Sequence, residues 1–162
     1  CAAIYKGDDM TIELQAVGTV VGGRAEPTDD DWDSETAVIA LDTSRFTAES
    51  LAGLDAFSHV EVVFHFDRVS EDDIQYVARH PRGNTDWPKV GIFAQRGRVR
   101  PNRIGVTVCK LLKVEGTEIT VQGLDAIDGT PVLDIKPYMT GFQVRGAVEE
   151  PEWSKVLMAE YW

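Results

Sequence analysis

Apolar and polar residues alternate one for one along much of this chain, which is the period of a strand with one face buried and the other in water. The clearest case is 58–66, where Val60, Val62 and Phe64 fall on one side and His59, Glu61, Val63 and His65 on the other. Further β-rich runs occupy 36–42, 90–95, 104–114, 119–124 and 131–136, and Ile12, Leu14 and Ala16 open another that continues through Val17-Gly18-Thr19-Val20-Val21. Glu115-Gly116-Thr117-Glu118, between two of these runs, predicts a tight hairpin.

Helical signals are fewer. Thr47, Ser50, Leu51 and Leu54 predict a short helix ended near Gly53, and Ser70 with Asp73 three residues on predicts a capped short helix through Val77. Pro151 suits the first turn of a helix that sets Trp153, Val156, Leu157 and Tyr161 on one face, to cover the core, a ligand or a second subunit. Short strands joined by Gly and Pro turns, without repeated strand-helix alternation, predict a mainly β fold: a small antiparallel or mixed β-barrel with a few short helices and a C-terminal helix. Residues 1–10 show no such pattern and are expected to form a flexible extension, with 11–162 as a single domain.

Composition narrows the function. With 162 residues, 43% of them hydrophobic, the chain can bury one core. No apolar run approaches the ~18 residues of a membrane helix, and the N-terminus lacks the basic-then-apolar layout of a secretory signal, so a cytoplasmic protein is expected. Two cysteines, Cys1 and Cys109, allow neither a disulfide framework nor a Cys-rich zinc site within one chain, and no metal is expected. A net charge of −11 argues against broad electrostatic capture of nucleic acid. The cations are unevenly placed, however: Arg79, Arg82, Lys89, Arg96, Arg98, Arg100 and Arg103 form either a local phosphate-binding patch or a solvated loop. The acidic run around Trp32 lacks the Gly and Glu of a calcium loop, and Trp32 itself either folds over a flat ligand or packs on its own domain.

Three segments carry more polar chemistry than turns require. They are Gly91-Ile92-Phe93-Ala94-Gln95-Arg96, Arg100-Pro101-Asn102-Arg103-Ile104-Gly105, and the run from Asp128-Gly129-Thr130-Pro131 to Lys136-Pro137-Tyr138. Turns need Gly, Pro, Asn and Asp for their backbone angles, but not flanking arginines, so the surplus reads as a binding site. His65-Phe66-Asp67, at the end of the clearest strand, is expected at a barrel rim beside Arg96 and Gly129. His65 is open to two readings, a site residue or a hydrogen-bonded structural histidine. No phosphate-binding loop and no serine nucleophile elbow occurs.

These motifs, together with Phe57-Ser58-His59 and Pro81-Arg82-Gly83-Asn84, resemble in order and kind the TsaA-like (YaeB/VirR) family over about residues 12–138. The resemblance implies a small β-barrel that binds S-adenosylmethionine, a homodimer, and methyl transfer to N6 of threonylcarbamoyl-adenosine in tRNA. It implies a methyl-donor site at His65, Phe66, Arg96, Val106, Gly129, Thr130, Pro131 and Val132, and Trp32 and Asp128 are read as further cofactor contacts. Arg82, Asn84, Arg100, Asn102 and Tyr138 are read as substrate contacts, because Arg and Asn together suit a phosphate beside an adenine edge. No residue is assigned a catalytic role, since a sulfonium donor carries its own leaving group and mainly needs alignment. Arg103 and Thr107 stand where longer members have Pro and Ser, and a short form without their additional C-terminal domain is expected. The alternative from another class is a non-catalytic S-adenosylmethionine-binding module that regulates a partner through a dimer surface.

Overall fold

The computed structural model describes residues 4–6 and 9–162. Ten strands occur among them in chain order: β1 Ile4–Lys6, β2 Asp9–Thr11, β3 Gly18–Val21, β4 Thr36–Leu41, β5 His59–His65, β6 Ala78–Arg79, β7 Val90–Gly91, β8 Ile104–Glu115, β9 Glu118–Gln122 and β10 Pro131–Pro137. Six of them close an antiparallel barrel in the order β10-β3-β4-β9-β8-β5. β6 pairs with β7 and β1 with β2 as separate ladders, so the opening stretch, read from sequence as patternless, holds a short antiparallel pair; residues 1–3 and 7–8 lie outside the described residues. One α-helix, α1 Glu152–Met158, follows the barrel. No helix among the described residues is long and apolar enough to cross a membrane.

The alternation seen in the sequence closes the barrel. Val60, Val62 and Phe64 of β5 point inward and meet Val20, Ile39, Ile119, Val121 and Val132, all 0–1% exposed, so the interior is packed with side chains and holds no ligand channel. Gly105 on β8 lies opposite Phe64, and a side chain there would collide with the Phe64 ring. The missing Cβ lets the aromatic ring lie across the neighbouring strand. Gly18 meets the backbone of Ala40 in the same way, so two inward-facing glycines set how tightly the barrel closes.

Several local expectations are corrected. Ile12 and Leu14 are 62% and 56% exposed and stand outside the barrel, whose first strand begins only at Gly18. The predicted helices at 47–54 and 70–77 are single 3-10 turns, Ala48–Leu51, Leu54–Ala56 and Glu71–Asp73, although Ser70 does accept from the Asp72 amide as a cap. The run at 90–95 is a two-residue strand followed by a 3-10 turn, Ile92–Ala94, and leaves Phe93 79% exposed. On α1 the half-buried residues include Trp153, Leu157 and Met158, while Val156 faces solvent.

Because the strands alternate in direction, three connections emerge at one end of the barrel: 22–35 between β3 and β4, 66–103 between β5 and β8, and 123–130 between β9 and β10. These are the long polar loops. The opposite end carries 42–58, the tight β8–β9 hairpin and the start of the tail after β10.

Candidate functional site

At the long-loop end, the last residues of β5 meet the first residues of both neighbours. His65 pairs with Ile104, and Phe64 pairs with Gly105 on one side and Val132 on the other. A β-bulge at Leu133 interrupts the β10–β5 ladder beside this point, a common means of re-aiming a strand end at a functional rim. The structure thus brings His65, Phe66, Val106 and the 128–132 turn together. Arg96 joins them by donating from Nη2 to the Val106 carbonyl at 2.8 Å.

The turn is built by its neighbours. Gly129 has φ +86°, a left-handed conformation that glycine adopts without strain. Its amide donates to the Val20 carbonyl at 2.8 Å, and Asp128 Oδ1 accepts from the Gly22 amide at 2.8 Å, which ties the 123–130 loop to the 22–35 loop. Arg68 donates to the carbonyls of Asp128 and Ala25 at 2.9 and 3.2 Å. Thr130 and Val132 are buried and Pro131 half-buried, so their side chains fix the turn while its backbone faces outward at Gly129. A Cβ at Gly129 would meet only Arg68 Nη2, at 3.6 Å, which leaves room for a flat group against the main chain.

Phe66 packs edge-on against Phe64, ring centroids 5.3 Å apart at 80°, and its amide donates to the Arg103 carbonyl at 2.8 Å. The half-buried ring keeps a face free of Phe64. Burial holds the His65 imidazole below its ordinary pKa, the Arg103 charge adds to this and Asp67 partly opposes it. His65 is therefore neutral in the folded protein at neutral pH.

Other expected residues are placed differently. Trp32 is 3% exposed: its ring lies under the Arg24 guanidinium, 4.3 Å from the centroid, and Nε1 donates to the Thr28 carbonyl. Arg82, at φ 51°, forms an ion pair with Asp30 at 2.7 Å and donates to the Asp29 carbonyl. Arg100 donates to the Gln95 carbonyl, Asn84 accepts from the Asp86 amide, and Asn102 is exposed. Tyr138 is not brought to this rim. Its amide donates to the His59 carbonyl at the opposite end of the barrel, about 20 Å away along seven-residue β10.

Sequence reasoning missed three contributors. Arg68 was one, legible only as a cation just after the strand. Arg24 was another: it reaches Glu35 Oε1 at 2.8 Å and the Asp30 carbonyl at 2.6 Å, and also donates to Thr28 and to the Asp31 carbonyl. The third is a polar chain in which Thr107 and Tyr161 each donate a hydroxyl to one oxygen of Asp125. A cleft of about 620 Å³ opens within the 22–35 loop at the same end of the barrel, lined by Arg24, Ala25, Glu26, Thr28 and the 29–31 aspartates. It is formed by a single loop, whereas the rim gathers residues from three connections and two strands and is retained as the candidate site.

A packed antiparallel barrel bearing a glycine turn, an aromatic face and a tethered arginine at one mouth defines a small closed β-barrel whose rim is the candidate ligand site. The family model described as tRNA-methyltransferase O N-terminal domain matches residues 25–144, and the chain belongs to that family. It is 45% identical over 102 residues to human "tRNA (adenine(37)-N6)-methyltransferase", a match covering 63% of this chain and 23% of that protein. It is 37% identical over 98 residues to a Pyrococcus abyssi protein named "Probable S-adenosyl-L-methionine-binding protein", covering 60% of this chain and 50% of that one. A crystal structure of TrmO from Pseudomonas aeruginosa superposes with a TM-score of 0.73 at 25% identity, covering 91% of this chain and 64% of that one. The chain thus spans less than two thirds of each of these proteins.

Proposed function

We propose that this domain binds S-adenosylmethionine at the rim formed by His65, Phe66, Arg96, Val106 and the 128–132 turn, and directs its methyl group to N6 of an adenosine in tRNA. The observation that carries the reading is the convergence of the left-handed Gly129 turn, the Phe66 ring and Arg96 at one barrel end. The residues fit such a donor. Arg96 spends one N–H on Val106 and keeps others for a carboxylate, Phe66 offers a face to a purine, and Gly129 lets a ligand approach the main chain. When bound, the donor supplies the methyl group and its own leaving group. The protein's part is to hold the methyl carbon and the attacking nitrogen in line, and neutral His65 at the rim adds no competing positive charge beside a sulfonium. Trp32, Asp128, Thr130 and Val132 support the site by fixing its loops.

In this reading Arg82, Asn84, Arg100 and Asn102, all from the 66–103 excursion, meet the acceptor, with threonylcarbamoyl-adenosine as the expected base. Arg82 and Arg100 keep guanidinium donors beyond those that hold their own loop. Tyr138 reaches this rim only from a second copy, in keeping with a homodimer that also covers exposed Phe93, Tyr76 and Val77. A tRNA acceptor agrees with a cytoplasmic setting.

The test is calorimetry with S-adenosylmethionine and S-adenosylhomocysteine, followed by incubation of labelled donor with total tRNA with and without the threonylcarbamoyl group. Gly129→Leu forces a side chain into the left-handed region at a cost of about 1–2 kcal/mol and fills the open approach, so donor binding should vanish while the barrel still melts cooperatively. No heat with either ligand overturns the donor reading. Donor binding with no label on adenine N6 overturns the acceptor reading and favours a regulatory module.

A further inference from the structure

The C-terminal tail leaves the barrel after Pro137, at the end opposite the rim, and returns to touch all three long loops. Trp153 of α1 packs on Trp87 in the 66–103 excursion, ring centroids 6.4 Å apart. In the 22–35 loop, the amides of Asp31 and Trp32 donate to the carbonyls of Glu160 and Tyr161, each at 2.9 Å. In the 123–130 loop, Asp125 accepts the Tyr161 hydroxyl, while its other oxygen accepts from Thr107, a buried residue on the inner face of β8. These anchors use three unlike interactions, and their tail residues, Trp153, Glu160 and Tyr161, lie beyond the residues 25–144 that match the family model.

We infer that residues 152–161 form a clasp that sets the three rim loops in their binding geometry, with Tyr161 as a positioning residue for the methyl-donor site. The inference rests on the reading of that rim as the donor site. Arg96 and Gly129 come from two of these loops, buried Trp32 fixes the third, and each loop must be ordered against its own conformational entropy before the rim can act as one surface. One element that holds a point on each of the three loops orders them together. Tyr161 is the pivot of the arrangement. Its hydroxyl orients Asp125, each of whose two oxygens accepts from an O–H donor, so this carboxylate anchors the loop. Tyr161 also lies within the electrostatic reach of Arg82 and Arg96. Burial and then the Asp125 charge raise the phenol well above its ordinary pKa, so it stays a hydrogen-bond donor at neutral pH.

The test uses the full chain with Tyr161→Phe, which removes only the hydroxyl, and Trp153→Ala, which removes the helix anchor. Two readouts are taken: amide hydrogen exchange, and calorimetric affinity for S-adenosylhomocysteine. Exchange at Asp31 and Trp32 should accelerate on the order of tenfold in both variants, with β5 and β8 amides unchanged, as expected for a local opening. Affinity for S-adenosylhomocysteine should fall by about tenfold in Tyr161→Phe, the worth of a hydrogen bond to a charged partner at the low end of its range. Unchanged rim exchange, or acceleration spread equally through β5 and β8, overturns the clasp. Faster rim exchange with unchanged or tighter ligand binding overturns the positioning role. If the wild-type protein shows no ligand binding, the donor reading and the positioning role that rests on it fail together, while the exchange data still decide the clasp.

Discussion

Gly105→Ala isolates the packing that supports the rim. A Cβ built on Gly105 lies 2.5 Å from both Cε2 and Cζ of Phe64 and 2.9 Å from Cζ of Phe66. Carbon atoms prefer about 3.5–4.0 Å, so the Phe64 ring must retreat by about 1 Å. It has little room to do so: Phe64 is 1% exposed within the packed barrel, and Phe66 is stacked on its edge. Neither strand can yield freely, because Gly105 and Phe64 are direct partners in the β5–β8 ladder. Overpacking of this kind costs about 1–3 kcal/mol, and for a domain of this size each kcal/mol lowers Tm by about 2–4 °C. A fall of roughly 2–12 °C is therefore expected in calorimetric or circular-dichroism melts. Phe64→Leu opens space at the same contact, so the double variant should be less destabilised than the sum of the two single changes, by at least about 1 kcal/mol. Gly141→Ala serves as the control, since no atom stands within 4 Å of its Cβ and its change should stay within about 0.5 kcal/mol. A Gly105→Ala protein that melts with wild type, or strictly additive double-variant energies, would refute the packing account.

Two further outcomes are expected. Arg24→Lys replaces a fork that reaches Glu35, Thr28 and two carbonyls by a single ammonium, and should cost about 2 kcal/mol with a red shift of Trp32 emission, whereas an unchanged melt and spectrum would contradict the role of Arg24 in the 22–35 loop. His65 has a folded pKa below its ordinary 6.5, so its contribution to stability is present above pH 6.5 and is lost as pH falls through the folded value; His65→Gln should flatten the acid limb of the stability–pH curve, and a superimposable curve would argue against burial of the imidazole.

The alternation of apolar residues by itself determined the strands and their inward faces. Val60, Val62 and Phe64 point where their period places them, because a strand sends every second side chain to the same side and only one side of this sheet is dry. The same local logic located the hairpin at Gly116 and the left-handed turn at Gly129, where backbone angle and residue type are tied within a few residues. Ile12 and Leu14 show its limit, since a two-residue period states which residues could be buried together but not whether a partner strand exists to cover them.

Tertiary structure decided the partners of the polar residues. Arg82 reads in sequence as a free cation, yet it is captured by Asp30, 52 positions away, and of the two sequence readings of Trp32 it is packing on its own domain, under Arg24, that the tertiary structure selects. Tyr138 follows the 128–132 turn closely in sequence, but the direction of β10 carries it to the other end of the barrel. Asp125, Thr107 and Tyr161 share no motif and meet only because the tail crosses the barrel to the rim. Backbone angles and strand faces are local properties with a short sequence signature. The pairing of charges and hydroxyls between loops is fixed by closure of the barrel and by the path of the tail, and neither has a local signature.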